Sequence, residues 1–289
     1  MTKNWEIKNI IGTGLNETPK DLRDFKAEKT FGSIGINSVP KIDFKVAEPL
    51  EIKEQYNSDF CTAFATTAVS EDQECVKLAP EWFFAQEKKL TGDYKSWGCD
   101  LRVACKTAVN TGFLEEQDQK YNLLNEDRNF LANWENWNID TLDKAYIHRK
   151  KSYFSIDGLG KDMFESMRIA LWQHLDNKCS ILTGVIWQKE WTYSENGIIQ
   201  KEEGTKLEGH AIKIFGQKII DGEIYLMAQL SNGIEIGDKG IFYFPKEVIN
   251  SCFTFGAYCF IDIDPNEVKK NNWDWKQKLL DFIIKRLYK

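Results

Sequence analysis

Two side chains stand out for the chemistry they could share. Cys61 follows the polar turn Gln55-Tyr56-Asn57-Ser58-Asp59, and His210 lies 149 residues later in Glu208-Gly209-His210-Ala211. A thiol attacks as its thiolate, and free cysteine titrates at about 8.5, too high for neutral pH. The positive end of a helix and an adjacent imidazolium both lower that value. Cys61 is placed for the first of these. Cys61, Phe64, Ala65, Ala68 and Val69 fall at i, i+3, i+4, i+7 and i+8, which predicts a helix starting at the thiol, with Ser58 and Asp59 as candidate caps. His210 opens an apolar, β-rich run, and Gly209 beside it leaves room for close approach. A thiol on a helix and an imidazole on a strand in the other half of the chain describe a nucleophile and a base facing each other across a cleft.

The elements that must hold this pair read as helices first and strands second. A short helix is expected over 20–29 and a strand entry over 39–44. The helix from Cys61 runs to about 77, a second covers 81–90 behind Pro80, and a third covers 100–110 and stops at Gly112. Residues 122–152 are polar and Asn-rich and read as a crossover. A fourth helix is expected over 161–175. Strands are then expected over 180–187, 197–200, 210–215, 223–229, 240–244 and 257–263, with turn residues between them. That order predicts an α+β fold, with the site in a cleft between two lobes.

At these residues the sequence resembles the papain family of cysteine proteases. Gln55-Tyr-Asn-Ser-Asp-Phe-Cys61-Thr-Ala-Phe64 is similar to the family's Q-G-x-C-G-S-C-W-A-F, with the Gln-to-Cys spacing kept. The segment from Gly98 to Gly112, followed by Glu115, Glu116 and Tyr121, resembles the family's glycine-to-helix segment lining the cleft. Gly209-His210-Ala211-Ile212 matches the G-H-A-V box. Gly237-Asp-Lys-Gly-Ile-Phe-Tyr-Phe244 resembles the G-D-x-G-Y strand. The four occur in the family's order, and the separation of Cys61 from His210 is in its range. The resemblance spans about 39–263.

The resemblance implies a papain-like two-lobe fold, a helical left lobe and a β-barrel-like right lobe with the active site between them. It divides the chain into an N-terminal extension (1–38), a helical lobe with Cys61 (39–150), a β-rich lobe with His210 (151–264) and a C-terminal amphipathic helix (265–289). It implies a cysteine peptidase that hydrolyses peptide bonds in a peptide or protein substrate, without metal or cofactor. Cys61 would attack the carbonyl, His210 would hold the thiolate and protonate the leaving amine, and Gln55 with the Cys61 N–H would form the oxyanion hole. Other readings are a papain-fold protein kept for binding or assembly, and another thiol amidase or transpeptidase.

Several positions depart from the family pattern. Leu230 stands where the family's His-orienting Asn is expected, so that role falls to Asn232, to Gln229 or Ser231, or to no residue in a Cys–His dyad. Thr62 replaces the usual Trp. Ser58 stands where a disulfide cysteine is usual, which leaves Cys99 without its usual partner. Leu101-Arg102 replaces a glycine pair that binds substrate backbone, so substrate preference does not carry over. Residues 1–38 are too short for the long propeptide helix of secreted members, but long enough to cover the cleft.

Composition narrows the alternatives. A net charge of −6 with no basic, aromatic-rich patch argues against nucleic-acid binding. No stretch approaches the roughly 20 apolar residues of a membrane span, and the N-terminus lacks a signal-peptide core. The seven cysteines are scattered without a CxxC pair, and the three histidines lie far apart, so no zinc site is expected. The six cysteines other than Cys61 read as buried thiols in a reducing, cytoplasm-like compartment. His148 reads as a solvated loop residue, His174 as structural, and Asp238 as a turn former. Over 273–289 a wide apolar stripe (Trp275, Leu279, Phe282, Ile283) among lysines predicts a helix that packs on its own domain or docks on a protein partner or membrane surface.

Overall fold

A computed structural model of the chain describes residues 13–262, except positions 20, 22, 23, 202 and 203. The first half is helical. α1 (Ala27–Phe31) is short, α2 is Cys61–Glu74, α3 is Pro80–Thr91 and α4 is Leu101–Asn110. α3 begins on proline, whose missing N–H is no loss at a first helical position. α4 is capped by Asp100, whose carboxylate accepts from the Arg102 and Val103 amides. The polar stretch expected as a plain crossover holds α5 (Arg128–Ala132) and α6 (Asp140–Tyr146). These helices close on Phe60, Phe64, Trp82, Phe83, Leu101 and Phe113. The Phe60 and Phe84 rings stack at 3.9 Å, and Phe83 and Phe113 at 4.6 Å.

The second half is one antiparallel sheet: β1 (Phe44–Lys45), β2 (Ser152–Ser155), β3 (Ile181–Gln188), β4 (Lys206–Ile220), β5 (Glu223–Gln229), β6 (Ile241–Pro245) and β7 (Ala257–Ile261). The strand order is β2-β7-β3-β4-β5-β6, with β1 on β4. β4 pairs β1 at Gly216 and Gln217, just past the end of its β3 ladder at Ile214, and its β5 ladder shifts register between Ile214 and Gly216. A Cβ on Gly216 would come within 2.5 Å of the Phe44 carbonyl, so only glycine fits there. The outer strands β2 and β6 do not pair, and the sheet is an open curved wall, not a closed barrel. α7 (Met163–Gln173) and α8 (Lys246–Cys252) pack beside it over a core that includes Trp187, Phe215 and Phe242.

The two halves are tied where α2 lies on β4. Lys213 of β4 donates to Asp72 Oδ1 at 2.6 Å and to the Ala68 carbonyl at 3.1 Å, and Ser180 bonds the other Asp72 oxygen. Lys213 and Asp72 are both buried, so each offsets the other's desolvation.

Some expectations are corrected. Residues 197–200 form no strand; Ile198 makes only an isolated bridge to Tyr243. β2 and α8 were not expected, because SYFS and KEVINSC are short and weakly patterned. His148 is not a solvated residue. Its ring sits between Glu74 (2.9 Å) and Glu115 (3.2 Å). Cys75 is exposed, not buried, while Cys99, Cys105, Cys179, Cys252 and Cys259 are buried, and none of the seven cysteines is in a disulfide. His174 is buried against the Phe31 ring, as expected of a structural residue. Asp238 closes a turn to Ile241 and accepts from the Tyr243 hydroxyl at 2.6 Å. The helix expected over 273–289 lies outside the described residues.

Candidate active site

Cys61 is the first residue of α2, and Phe60 is the residue before it. The capping expectation is corrected. No side chain caps this helix, so its first amides point at the thiol end without a side-chain acceptor. Asp59 instead turns away. Its carboxylate accepts from the Gly98 amide and from Arg128, at 2.5 and 2.6 Å for Oδ2 and 3.0 Å for Oδ1. Asp59 therefore locks the turn before the nucleophile to the Gly98 loop and to α5. Neither Arg128 nor this ion pair was foreseen, since the partners are 69 residues apart.

His210 is on β4, paired with Val185 of β3. Its ring meets Trp187 edge-on at 5.9 Å. The next residue, Ala211, is buried in the same cluster as Cys61. The helix that starts at Cys61 packs against the strand that carries His210. Both side chains are buried.

Burial reverses the expected effect on the thiol. It pushes Cys61 up to about 12, with Asp59 and Glu87 adding to the rise and the Ala211 and Thr62 amides opposing it. In this conformation desolvation outweighs the helix terminus, and the group is a thiol.

Gln55 is buried beside the turn. Its Nε2 donates to the Ser58 carbonyl at 2.9 Å, and its Oε1 accepts from Ser231. The Gln55 amide also donates to the Ser231 carbonyl at 2.7 Å. The segment before Cys61 and the one after β5 are therefore stitched together. Glu54 bridges Asn232 in the same seam.

The residues after β5 decide what can face His210. Leu230 is apolar and buried. Gln229 donates its amide to the Glu51 carbonyl at 3.0 Å, and Ser231 is committed to Gln55. The amide of Asn232 is buried and has no hydrogen-bond partner among the described residues, so it does not bond His210 in this conformation. The β4–β5 register ends at Lys213↔Gln229; continued three residues, it would set His210 opposite Asn232.

Two features escaped the sequence reading. Behind Cys61, Thr62 donates to Glu87 at 2.8 Å, and Glu87 is wholly buried. Burial pushes the Glu87 carboxyl up to about 8. A glutamate two residues after the apolar run Trp82-Phe83-Phe84-Ala85 was the available signal. The second is which residues of the leading segment enter the core, the segment being expected as an extension long enough to cover the cleft. Leu15 is buried, and it bridges both Cys99 and Gly209. The Leu15 amide donates to the Gly209 carbonyl at 3.1 Å, the Cys99 amide donates to the Gly14 carbonyl and the Asn16 amide donates to the Cys99 carbonyl, each at 2.8 Å. Residues 14–16 thus lie across the junction that holds Cys61 and His210. A Cβ on Gly14 would come within 2.4 Å of the Asp59 carbonyl oxygen, so glycine is what lets the strap seat.

Among the described residues no three His, Cys, Asp or Glu side chains gather in a way that would hold a metal, and no helix is long and apolar enough to cross a membrane.

A helical half and a β half that pack together where α2 lies on β4 define a mixed α+β architecture. The comparisons give the family. The profile of the papain family cysteine proteases matches residues 40–258, and the chain belongs to that family. A comparison with curated protein sequences found no match. Similar solved structures include xylellain, a cysteine protease from Xylella fastidiosa, with 17% identity and a TM-score of 0.71 over 89% of this chain and 98% of that one. Procathepsin B S9 from Trypanosoma congolense follows with 16% identity and a TM-score of 0.63, covering 86% and 85%. The bromelain protease from Ananas comosus has 17% identity and a TM-score of 0.56, covering 76% and 98%. At these identities the likeness carries the fold.

Proposed function

We propose that this protein is a cysteine peptidase that cleaves peptide bonds through an acyl-thioester on Cys61. The observation that carries the reading is the placement of Cys61 at the uncapped start of α2, which packs against β4, with Cys61 in one buried cluster with Ala211, the residue next to His210. Once the strap over the site is displaced, water and the imidazole reach the sulfur. His210 takes the thiol proton, and the thiolate attacks the peptide carbonyl carbon. The negative charge on the carbonyl oxygen is met by the Gln55 side-chain amide and the Cys61 N–H. One such donor is worth about 3–4 kcal/mol elsewhere. The C–N bond then breaks as His210 protonates the leaving amine. Water, deprotonated by His210, attacks the thioester, and the acid leaves as the thiol is restored.

Asn232 is assigned as the group that orients His210. Ser231 is committed to Gln55, and Gln229, whose Oε1 is also without a partner, pairs with Lys213, whereas the continued register sets Asn232, with neither amide atom bonded, opposite His210. A buried amide left unpaired costs about 1–3 kcal/mol, so a bond to the His210 ring in the open form would be favoured.

The test is labelling with a vinyl-sulfone or epoxide thiol probe, read by peptide mapping. Label on Cys61 that is lost in Cys61→Ala and His210→Ala is the expected result. Label elsewhere, or label indifferent to His210, would overturn the reading and favour the rival, a papain-fold protein kept for binding, which the Leu230 departure motivates.

A further inference from the structure

Arg102 lies in the first turn of α4 and is nearly buried, with its side chain 8% exposed. That is an unfavourable place for a cation, because the helix start is itself positive and the charge is desolvated. What satisfies it is a carboxylate from the leading segment. The Arg102 guanidinium donates to Asp24 from Nε (3.0 Å to Oδ2, 3.2 Å to Oδ1) and from Nη2 (2.5 Å). Tyr153 donates its hydroxyl to Asp24 Oδ1 at 3.0 Å, and Tyr258 Oη lies 3.4 Å from Arg102 Nη2. This is the fork geometry that suits a carboxylate.

Two further observations set this arrangement apart from an ordinary internal ion pair. Asp24 is the one carboxylate in salt-bridge range of Arg102 among the described residues, and it precedes the stretch that matches the family. Arg102, Tyr153 and Tyr258 all lie within that stretch, so the protease body carries the cradle and the leading segment supplies the anion. The cradle also opens into a groove. Arg102, Phe255, Gly256 and Tyr258 line one side of a groove of about 360 Å³ whose other side is Thr18, Asp21 and Asp24. Phe255 also flanks the Leu15 side chain at Gly184, which places the cradle beside the strap residue that crosses the site.

We propose that Arg102, Tyr153 and Tyr258 form a subsite for an acidic side chain of the peptide substrate, filled by Asp24 while the leading segment is seated. The proposal rests on the peptidase reading above. When the segment lifts, the cradle loses its carboxylate, and a glutamate or aspartate of the substrate replaces it. The same contact therefore sets substrate preference and adds to the hold of the leading segment.

The experiment uses the full-length chain and peptide sets in which Glu is exchanged for Gln at each position before the scissile bond, with kcat/KM measured for both. The expected result is a Glu-over-Gln preference of about tenfold or more at one position, because a site built for a charged partner rejects the analogue that leaves it unpaired. In Arg102→Gln that ratio falls toward one, and Arg102→Lys restores part of it. Asp24→Ala raises kcat/KM for the Glu peptide more than for the Gln peptide, a readout that stands if Arg102→Gln does not fold. Peptides cleaved without a Glu preference, or with one indifferent to Arg102, would overturn the subsite and leave the peptidase reading intact. If no peptide is cleaved and Cys61 takes no thiol probe, the peptidase reading falls and the subsite falls with it.

Discussion

At the scale of single residues the environment of Cys61 is set by groups that do not touch substrate. Glu87 is the clearest. Its folded carboxyl is held up to about 8 by burial against an ordinary value of 4.5. The unfolded chain therefore sheds this proton at a lower pH than the folded one. The stability linked to it is fully present below about pH 4.5 and is drawn down as pH rises toward 8. Glu87→Gln keeps the shape and removes the titration. We expect wild type to lose about 3–4 kcal/mol relative to this variant between pH 5 and 8, read from urea midpoints. A wild-type profile parallel to that of the variant would sink the argument. Asn232 gives a second expectation. If it orients the imidazole, Asn232→Ala should lower kcat/KM by about 10-fold or more and shift the pH profile, with little change in KM. An unchanged profile would point to a Cys–His dyad.

The strap across the site and the turn beneath it act at the scale of elements. Gly14 seats against the Asp59 backbone with no room for a side chain. Gly14→Val should keep residues 14–16 from closing on Cys99 and Gly209, and so expose Cys61. Alkylation of Cys61 by iodoacetamide should then be at least several-fold faster than in wild type; an equal rate would mean that something other than the strap buries the thiol. The turn depends on Arg128, whose partner Asp59 is wholly buried. Arg128→Ala leaves that carboxylate uncompensated and should cost about 3–5 kcal/mol in denaturant unfolding, where an exposed pair would cost less than 1.

For the molecule as a whole, the relation between the two halves rests on α2 lying against β4, pinned by Lys213 and Asp72. Removing one partner of this buried pair should cost about 3–5 kcal/mol. Replacing Lys213 and Asp72 together with Met and Leu should recover much of it. Thermal unfolding of the single and double variants measures both. Additive losses would show that the pair holds the halves through packing alone.

Much of this protein was legible from the chain itself. Local pattern was enough for α2 to start at Cys61, for a helix over about 100–110, for β5 to span Glu223–Gln229, and for His210 to sit on a strand after a glycine. These features depend on periodicity, caps and turns, which act over a few residues. The motif order was enough for the family. What the tertiary structure decided depends on residues far apart in sequence: Asp59 on Arg128, Thr62 on Glu87, Asp24 on Arg102, and Gly14 and Leu15 on the walls of the cleft. The same holds for the state of the nucleophile. The sequence predicts a thiol activated by a helix terminus, but burial beneath the strap outweighs that local field and keeps Cys61 protonated, because desolvation is a property of the whole packed surround.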